Sequence, residues 1–129
     1  MIHVLDTHPL VWHLEGNGRL SPRARAVLMD PGAELVIPTI VLAEIWHLHN
    51  RQKIRTSAQE LRARILSASN CSVYPLDEAV LELLPAELDI HDAIIVATAR
   101  VYRDVLQQPV RLLTCDKPIT QSGLVDTVW

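Results

Sequence analysis

Four acidic residues of this chain lie in or directly beside segments from which a core would be built. They are Asp6, after Ile2–Leu5; Glu44, within Ile40–Trp46; Asp92, before Ala93–Ala99; and Asp116, after Val110–Cys115. A carboxylate at the border of a core is costly unless it is paired or bound to a cation. One shared divalent metal ion would satisfy all four, so the pattern predicts a fold that brings them together.

The composition favours one α/β domain covering residues 1–129. Nearly half of the residues are apolar, but none is Phe, so Leu, Val, Ile and Ala must fill the core. This aliphatic bias is typical of a parallel sheet covered by helices. The formal net charge is −3, so the overall balance does not indicate a nucleic-acid partner. A polyanion would have to be bound by a local basic patch or through metal.

The cysteines and the apolar runs indicate a cytoplasmic setting. Cys71 and Cys115 form neither a metal-spaced pair nor a disulfide framework, which is typical of a reducing compartment. The amino terminus lacks the basic segment of a signal peptide. No apolar run approaches the roughly 18 residues of a membrane span. We therefore expect a soluble, cytoplasmic protein.

Short β-branched runs alternate with longer helical patterns along the chain. Strands are predicted at residues 2–6, 34–37, 71–74, 110–114 and 125–128, and helices near residues 9–14, 22–29, 39–50, 57–69, 77–84, 91–103 and 119. Ser21, Thr39 and Ser57 are the predicted N-caps of three of these helices. The alternation predicts a three-layer α/β sandwich with a central, mostly parallel β-sheet flanked by helices.

The predicted strand ends would bring the four acids to one edge of the sheet. Asp6 and Asp116 stand at the carboxyl ends of strands, where ligands bind in open parallel sheets. Asp92 lies in the first turn of a helix, and Glu44 lies about one turn into another. Helix capping, a dipole effect or a turn would explain the three aspartates singly. Glu44 resists such an explanation, because its apolar neighbours predict a helix buried nearly all round.

The order of these residues resembles the PIN-domain ribonucleases over essentially the whole chain. The matching segments are Asp6-Thr7, the helical Glu44, Asp92–Ala99 and Leu113–Asp116. One subgroup of the VapC-type toxins of bacterial toxin–antitoxin pairs is similar in further residues, namely Asp6-Thr7-His8, Trp12 and Arg19-Leu20-Ser21. The resemblance implies a PIN-like nuclease domain in which Asp6, Glu44, Asp92 and Asp116 bind the metal and form the catalytic site.

The same resemblance implies an Mg²⁺- or Mn²⁺-dependent endoribonuclease with RNA as its substrate. It further implies a cognate antitoxin protein that blocks the site, and commonly a homodimer. Thr7 and Thr114 match hydroxyl positions near the metal, and Asp89 is a fifth acid on the side of Asp92. Hard oxygen ligands suit these ions. Attack of water on the phosphodiester would leave a 5′-phosphate and a 3′-hydroxyl, with one ion or two.

Basic and aromatic residues near these acids are candidates for contact with RNA. Arg51, Lys53 and Arg55 follow the helix of Glu44, although an ordinary solvated surface explains them equally well. Lys117 directly follows Asp116 and is a candidate for a phosphate contact. Other residues expected near the acidic edge or in the core are His8, His91 and Trp46, with Trp46 assigned to the core.

Two other functions remain open on the sequence. A receiver-type phospho-accepting signalling domain has a similar length and sheet, and Asp77 after the strand at residues 71–74 would accept the phosphoryl group. That assignment leaves Glu44 and Asp92 unexplained, and it needs paired acids at the first strand, where Thr7 follows Asp6. The second alternative is a non-catalytic PIN-like module that binds RNA or protein without cutting. A metal-dependent ribonuclease accounts for more of the residues than either.

Overall fold

The computed structural model describes residues 1–129, and its strands form one sheet. The strands are β1 (Ile2–Leu5), β2 (Glu34–Pro38), β3 (Cys71–Tyr74), β4 (Val110–Leu113) and β5 (Thr127–Val128). Their order across the sheet is β3-β2-β1-β4-β5, and every neighbouring pair is parallel. The predicted α/β architecture with a central parallel sheet is confirmed.

Seven α-helices connect and flank the strands. They are α1 (Thr7–Leu14), α2 (Pro22–Met29), α3 (Thr39–Asn50), α4 (Ala58–Ser67), α5 (Glu78–Glu82), α6 (Ile90–Arg100) and α7 (Lys117–Ser122). Helix α6 continues into a π-helical turn over Val101–Val105, so the predicted helix at residues 91–103 changes its hydrogen-bond pattern after Arg100. None of the helices has the length and apolar character that a membrane crossing requires.

Two of the three predicted N-caps are confirmed. The hydroxyl of Ser21 accepts a hydrogen bond from the backbone N–H of Ala24, and that of Ser57 accepts one from Glu60. The prediction for Thr39 is wrong, because Pro38 occupies the N-cap of α3 and provides no side-chain bond. Instead, the Thr39 hydroxyl accepts a hydrogen bond from the backbone N–H of Leu76, which ties the loop after β3 to the start of α3.

Strand β1 lies at the centre of the sheet and sets the position of its carboxyl edge. In the register of the sheet, Val4 pairs with Val36 of β2 and with Leu112 of β4. These side chains are buried, as in a sheet covered on both faces. Helix α6 contacts β1 and β4, and every residue from Ala93 to Ala99 is buried. The apolar run after Asp92 is therefore a core helix that begins near the ends of the two central strands.

Helix α3 is less buried than its sequence suggests. Only Val41 and Ile45 are buried along its length, and the Trp46 side chain is 60% exposed. The predictions that α3 is buried nearly all round and that Trp46 packs in the core are both wrong. The outer face of α3, which carries Trp46, is left uncovered by the other helices.

Candidate acidic site at the carboxyl edge of the sheet

Asp6 is held in a fixed orientation where β1 ends and α1 begins. Its backbone N–H donates to the carbonyl of Leu113, which extends the pairing of β1 with β4 by one bond. Its two carboxylate oxygens accept different donors, the Thr7 backbone N–H at 2.7 Å and the Thr114 hydroxyl at 2.7 Å. The side chain is 8% exposed. Asp6 is therefore both the N-cap of α1 and a buried carboxylate bonded to the adjacent strand end.

Thr114 connects Asp6 to Asp116. Its buried hydroxyl donates to Asp6 and accepts a hydrogen bond from the backbone N–H of Asp116 at 3.0 Å. Asp116 is the N-cap of α7, and its side chain accepts from the backbone N–H of Ile119 at 3.1 Å. The carboxyl ends of β1 and β4 thus present two aspartates joined through one threonine hydroxyl.

Asp92 approaches the same edge from the first turn of α6. The N-cap of that helix is Asp89, which makes no side-chain capping bond, although its carbonyl accepts from the N–H of Ala93. The Asp92 carboxylate accepts no hydrogen bond from any protein donor, unlike those of Asp6 and Asp116. Its charge is therefore balanced by nothing in the chain itself.

Glu44 reaches the acids from α3 and is half-buried. It is the sixth residue of that helix, which begins immediately after β2, the strand beside β1. Its charge acts on both Asp6 and Asp92. The short connection after β2 thus carries the fourth carboxylate to the end of the sheet where the other three lie.

Burial and mutual repulsion shift the pKa values of two of these carboxyls. Burial raises the pKa of Asp6, and the charge of Glu44 adds to the rise, which the hydrogen bonds from Thr114 and Thr7 oppose. The pKa of Asp92 is raised to about 6, first by burial and then by the charges of Asp116, Asp6, Asp89 and Glu44. Like charges in a poorly solvated place disfavour ionisation. The other three predicted acids, together with Asp89, therefore lie within electrostatic reach of Asp92.

No basic side chain neutralises this cluster. The only ion pairs of the chain join Arg100 and Arg103 to Asp104. Lys117 is the first residue of α7 and is exposed, and it pairs with no carboxylate. As the side chains stand, no three Asp, Glu, His or Cys groups converge closely enough to hold an ion. The structure brings the acids to one edge without closing them into a ligand set.

The hydroxyl of Thr7 is a further polar group at this edge without a partner. Thr7 is fully buried, and its Oγ1 makes no hydrogen bond in the chain. A buried polar atom of this kind is rare, because it forfeits its bonds to water. Thr7 directly follows Asp6. The end of β1 therefore contains a hydroxyl without a hydrogen-bond partner close in sequence to a carboxylate without an ion pair.

The basic residues predicted to contact RNA lie beyond the carboxyl end of α3. Arg51, Lys53 and Arg55 are exposed there, in the loop between α3 and α4. After burial, the main influences on the pKa values of Asp6 and Asp92 come from other carboxylates, hydrogen bonds and His8. These three cations thus stand apart from the acidic cluster.

Glu15 holds this loop in place, a role that sequence reasoning missed. Its Oε2 accepts hydrogen bonds from the backbone N–H groups of Arg55 and Thr56 and from the Thr56 hydroxyl, at 2.7, 2.8 and 3.1 Å. Glu15 directly follows α1, so the bonds tie the basic loop to the helix that begins at Asp6. An acid forty residues away from its partners leaves no local signal in a sequence.

Asp77, the phosphate acceptor of the receiver alternative, lies elsewhere. It caps α5, and its oxygens accept from the backbone N–H of Val80 and the hydroxyl of Tyr74. It follows β3, an edge strand that β2 separates from β1. Asp77 is thus occupied with local bonds and is not placed beside Asp6, so the receiver assignment finds no support in the fold.

Comparison with known proteins gives one family match. The family model described as "PIN domain" matches residues 3–121 of the chain. No curated protein sequence matches it significantly.

Solved structures share the fold at low sequence identity. A chain of VapBC2 from Rickettsia felis, in a crystal structure with a DNA fragment from the promoter, has a TM-score of 0.65 and 14% identity, covering 99% of this chain and 98% of that one. A chain of VapBC-1 from nontypeable Haemophilus influenzae has a TM-score of 0.63, 18% identity and coverages of 99% and 97%. A toxin–antitoxin complex from Klebsiella pneumoniae contains a chain with a TM-score of 0.58, 18% identity and coverages of 98% and 96%.

Proposed function

The chain belongs to the PIN domain family, and from this premise we propose that it is a divalent-metal-dependent endoribonuclease. Its substrate would be RNA, and its active site would comprise Asp6, Glu44, Asp92 and Asp116. The observation that carries the proposal is the uncompensated acidic cluster at the carboxyl edge of the sheet. Four carboxylates from four different parts of the fold influence the charge of Asp92, and no cation of the chain pairs with any of them.

The donor chemistry of the cluster fits Mg²⁺ or Mn²⁺. Its four predicted acids supply carboxylate oxygens, and these ions prefer oxygen ligands. We expect Asp6, Asp92 and Asp116 to hold the ion, with Glu44 as the fourth carboxylate, after side-chain adjustment, because no ligand set is closed as the side chains stand. A bound divalent ion would supply Lewis acidity and lower the pKa of a coordinated water.

The residues of the chain would position the phosphodiester. Hydrogen bonds from Thr7 and Thr114 hold the Asp6 carboxylate in place, so the adjustment that closes the site would fall mainly on the other acids. Asp92 makes no hydrogen bond to the protein, so its carboxylate is free to bind the ion or a water. In-line attack would break the P–O3′ bond and leave a 5′-phosphate and a 3′-hydroxyl.

We further propose that the protein is the toxin of a toxin–antitoxin pair and acts as a homodimer. The similar solved chains come from VapBC proteins and from a toxin–antitoxin complex. The exposed apolar residues include Trp46 on α3 and Leu81 on α5, which offer surface for a protein contact. A small gene beside this one, encoding a protein that binds the chain and stops its activity, would support the assignment.

Cleavage of RNA by purified protein tests the proposed reaction. The native chain should cut RNA in Mn²⁺ and not in EDTA, with 5′-phosphate ends visible by mass spectrometry. Asp92→Asn should lower the rate by orders of magnitude, because it removes a carboxylate from the proposed site. Asp126→Asn is the matched control. Asp126 is exposed directly before β5, at the amino-terminal edge of the sheet, and its side chain takes part in none of these contacts.

Three results would contradict the proposed enzyme or its proposed active site. Cleavage that persists unchanged in folded Asp92→Asn protein would show that the acidic cluster is not the active site. RNA binding without cleavage in Mn²⁺ would favour the non-catalytic PIN-like module. A stable acyl-phosphate on Asp77 after incubation with acetyl phosphate would favour the receiver.

A further inference from the structure

A cleft of about 360 Å³ lies between α1, the carboxyl-terminal part of α3 and the loop that follows it. Its volume falls within the range of small-ligand sites. The lining includes two aromatic rings, His8 and Trp12, and two cations, Arg19 and Lys53. Neither the acidic cluster nor the reaction proposed above assigns any role to this cleft.

The two helices that line the cleft both start at the acidic cluster. On α1, His8 and Trp12 are four residues apart and share one face, which begins two residues after Asp6. On α3, Leu48 lines the cleft one turn beyond Glu44. None of the four acids lines the cleft, which lies beyond them along α1 and α3, on the side of the basic loop. His8 lies close enough to Asp6 to act on its charge.

The aromatic wall of the cleft is preformed. The rings of His8 and Trp12 lie 5.6 Å apart, and Trp129 supports Trp12 from another side at 5.8 Å. Trp12 packs partly against the core, whereas His8 is exposed. Such a wall offers a fixed stacking surface, because ordering it on binding costs little.

The cations of the cleft are not bound to any carboxylate of the chain. Arg19 and Lys53 are exposed, and neither forms an ion pair. The Arg19 guanidinium lies 6.0 Å from the centre of the Trp12 ring, at the outer limit of a cation–π contact. Glu15 also lines the cleft, but its Oε2 accepts three hydrogen bonds from the loop instead of pairing with either cation.

We propose that this cleft is a subsite for an unpaired nucleotide of the substrate, with the base stacked on Trp12 and in edge contact with His8, and a backbone phosphate held by Arg19 and Lys53. Aromatic surfaces beside cations are what single-stranded RNA requires, since its bases are free to stack and its phosphates need neutralisation. The inference rests on the proposed function for its substrate. It adds that the enzyme takes a single-stranded segment and binds it on the α1 side of the carboxylates.

Binding of short fluorescent oligoribonucleotides to full-length Asp92→Asn protein tests the subsite without cleavage. Arg19→Gln and Lys53→Gln should each weaken the single-stranded oligonucleotide several-fold, and each should reduce the slope of log affinity against log salt by about 1. Arg23→Gln, another exposed and unpaired arginine outside the cleft, is the matched control and should change neither quantity.

The stacking component is tested by changing the ring and the ligand. Trp12→Leu should weaken binding by about tenfold. If Trp12→Leu unfolds the protein, His8→Leu is a second variant, because His8 is exposed and its replacement leaves the core intact. An oligonucleotide that lacks bases at some positions should bind the protein with native Trp12 and His8 weakly. Its affinity should be similar to that of the intact oligonucleotide for the Trp12→Leu or His8→Leu variant. A fully paired duplex should bind more weakly than the single strand.

The outcomes separate this inference from the enzymatic one. Affinity within twofold of the parent for both glutamine variants would overturn the subsite, even if the native chain cleaves RNA. Loss of a protein partner without loss of RNA affinity would assign the cleft to that partner and also overturn it. If the variants weaken RNA binding but native protein never cleaves RNA in Mn²⁺, the subsite stands and the nuclease proposal fails.

Discussion

The hydroxyl of Thr114 donates a 2.7 Å hydrogen bond to the carboxylate of Asp6, across 108 positions of sequence. The bond joins the ends of two neighbouring parallel strands, β1 and β4. Through the same oxygen, Thr114 receives the backbone N–H of Asp116. One buried threonine thus fixes the spacing of two carboxylates that the chain contributes from opposite termini.

Removing this hydroxyl should loosen the site. In Thr114→Val, the buried Asp6 oxygen and the Asp116 N–H both lose their partner, and we expect a loss of about 1–3 kcal/mol in the free energy of unfolding. Urea denaturation measures the loss. Thr114→Ser keeps the hydroxyl and should retain most of the stability and the nuclease activity. A larger loss in Thr114→Ser than in Thr114→Val would show that the methyl group, and not the hydrogen bond, matters.

Divalent metal should stabilise the fold. An ion that binds the native cluster and not the unfolded chain adds about 2.7 kcal/mol at a hundredfold excess over its Kd. Thermal unfolding with Mn²⁺, against the same protein in EDTA, measures the effect. Asp92→Asn should abolish most of it and Asp126→Asn should not. An equal shift in both variants would place the bound ion away from the acidic cluster.

The metal-free protein should become less stable as Asp92 ionises. The pKa of this carboxyl in the fold is about 6, above its ordinary value of 3.8, so the fold favours the protonated form. Stability is therefore highest below the ordinary value and is lost as pH rises through about 6. Asp92→Asn removes the charge and should stabilise the EDTA-treated protein at neutral pH, by about 1 kcal/mol once solvent screening is allowed for.

Chemical denaturation of both proteins across this pH range measures the difference. It should be near zero below pH 3.8 and reach its full value above pH 6 or so. A difference that is constant with pH, or that favours the native aspartate at neutral pH, would contradict the repulsion between Asp92 and its neighbours.

Loss of the Glu15 carboxylate should free the basic loop. Burial by itself would raise the pKa of Glu15, but the hydrogen bonds from Thr56 and Arg55 lower it overall. Glu15→Gln weakens these bonds, and we expect a cost of about 1–2 kcal/mol. Limited proteolysis should cut faster at residues 51–57. Glu60→Gln, which changes an exposed acid of the neighbouring helix, is the control. If residues 51–57 were cut equally fast in Glu60→Gln and Glu15→Gln, Glu15 would not be a specific anchor of the loop.

The stabilising contribution of Glu15 also has a pH dependence of opposite sign to that of Asp92. Its pKa in the fold lies below the ordinary value of 4.5, so the contribution is present above that pH and is lost as pH falls through the folded pKa. The protection factors of the Arg55 and Thr56 amides, which correct hydrogen-exchange rates for their intrinsic pH dependence, should therefore fall in acid in the native chain and change less in Glu15→Gln.

Local patterns of the sequence determined the elements and the acidic residues at their ends. The β-branched runs, the serine caps and the apolar segment after Asp92 depend on neighbouring residues, and the structure contains the predicted strands and helices with small shifts of their ends. Because the carboxyl ends of parallel strands lie at one edge, the alternation alone also predicted that Asp6 and Asp116 would lie together.

Only the tertiary structure decided which side chains meet. The order β3-β2-β1-β4-β5 places Thr114 beside Asp6. The same order places Asp77 after the edge strand β3, which β2 separates from β1. The exposed Trp46 and the anchoring Glu15 were missed for the same reason. Burial and hydrogen bonding across forty or a hundred residues depend on how helices are stacked on the sheet, and local periodicity carries no information about that stacking.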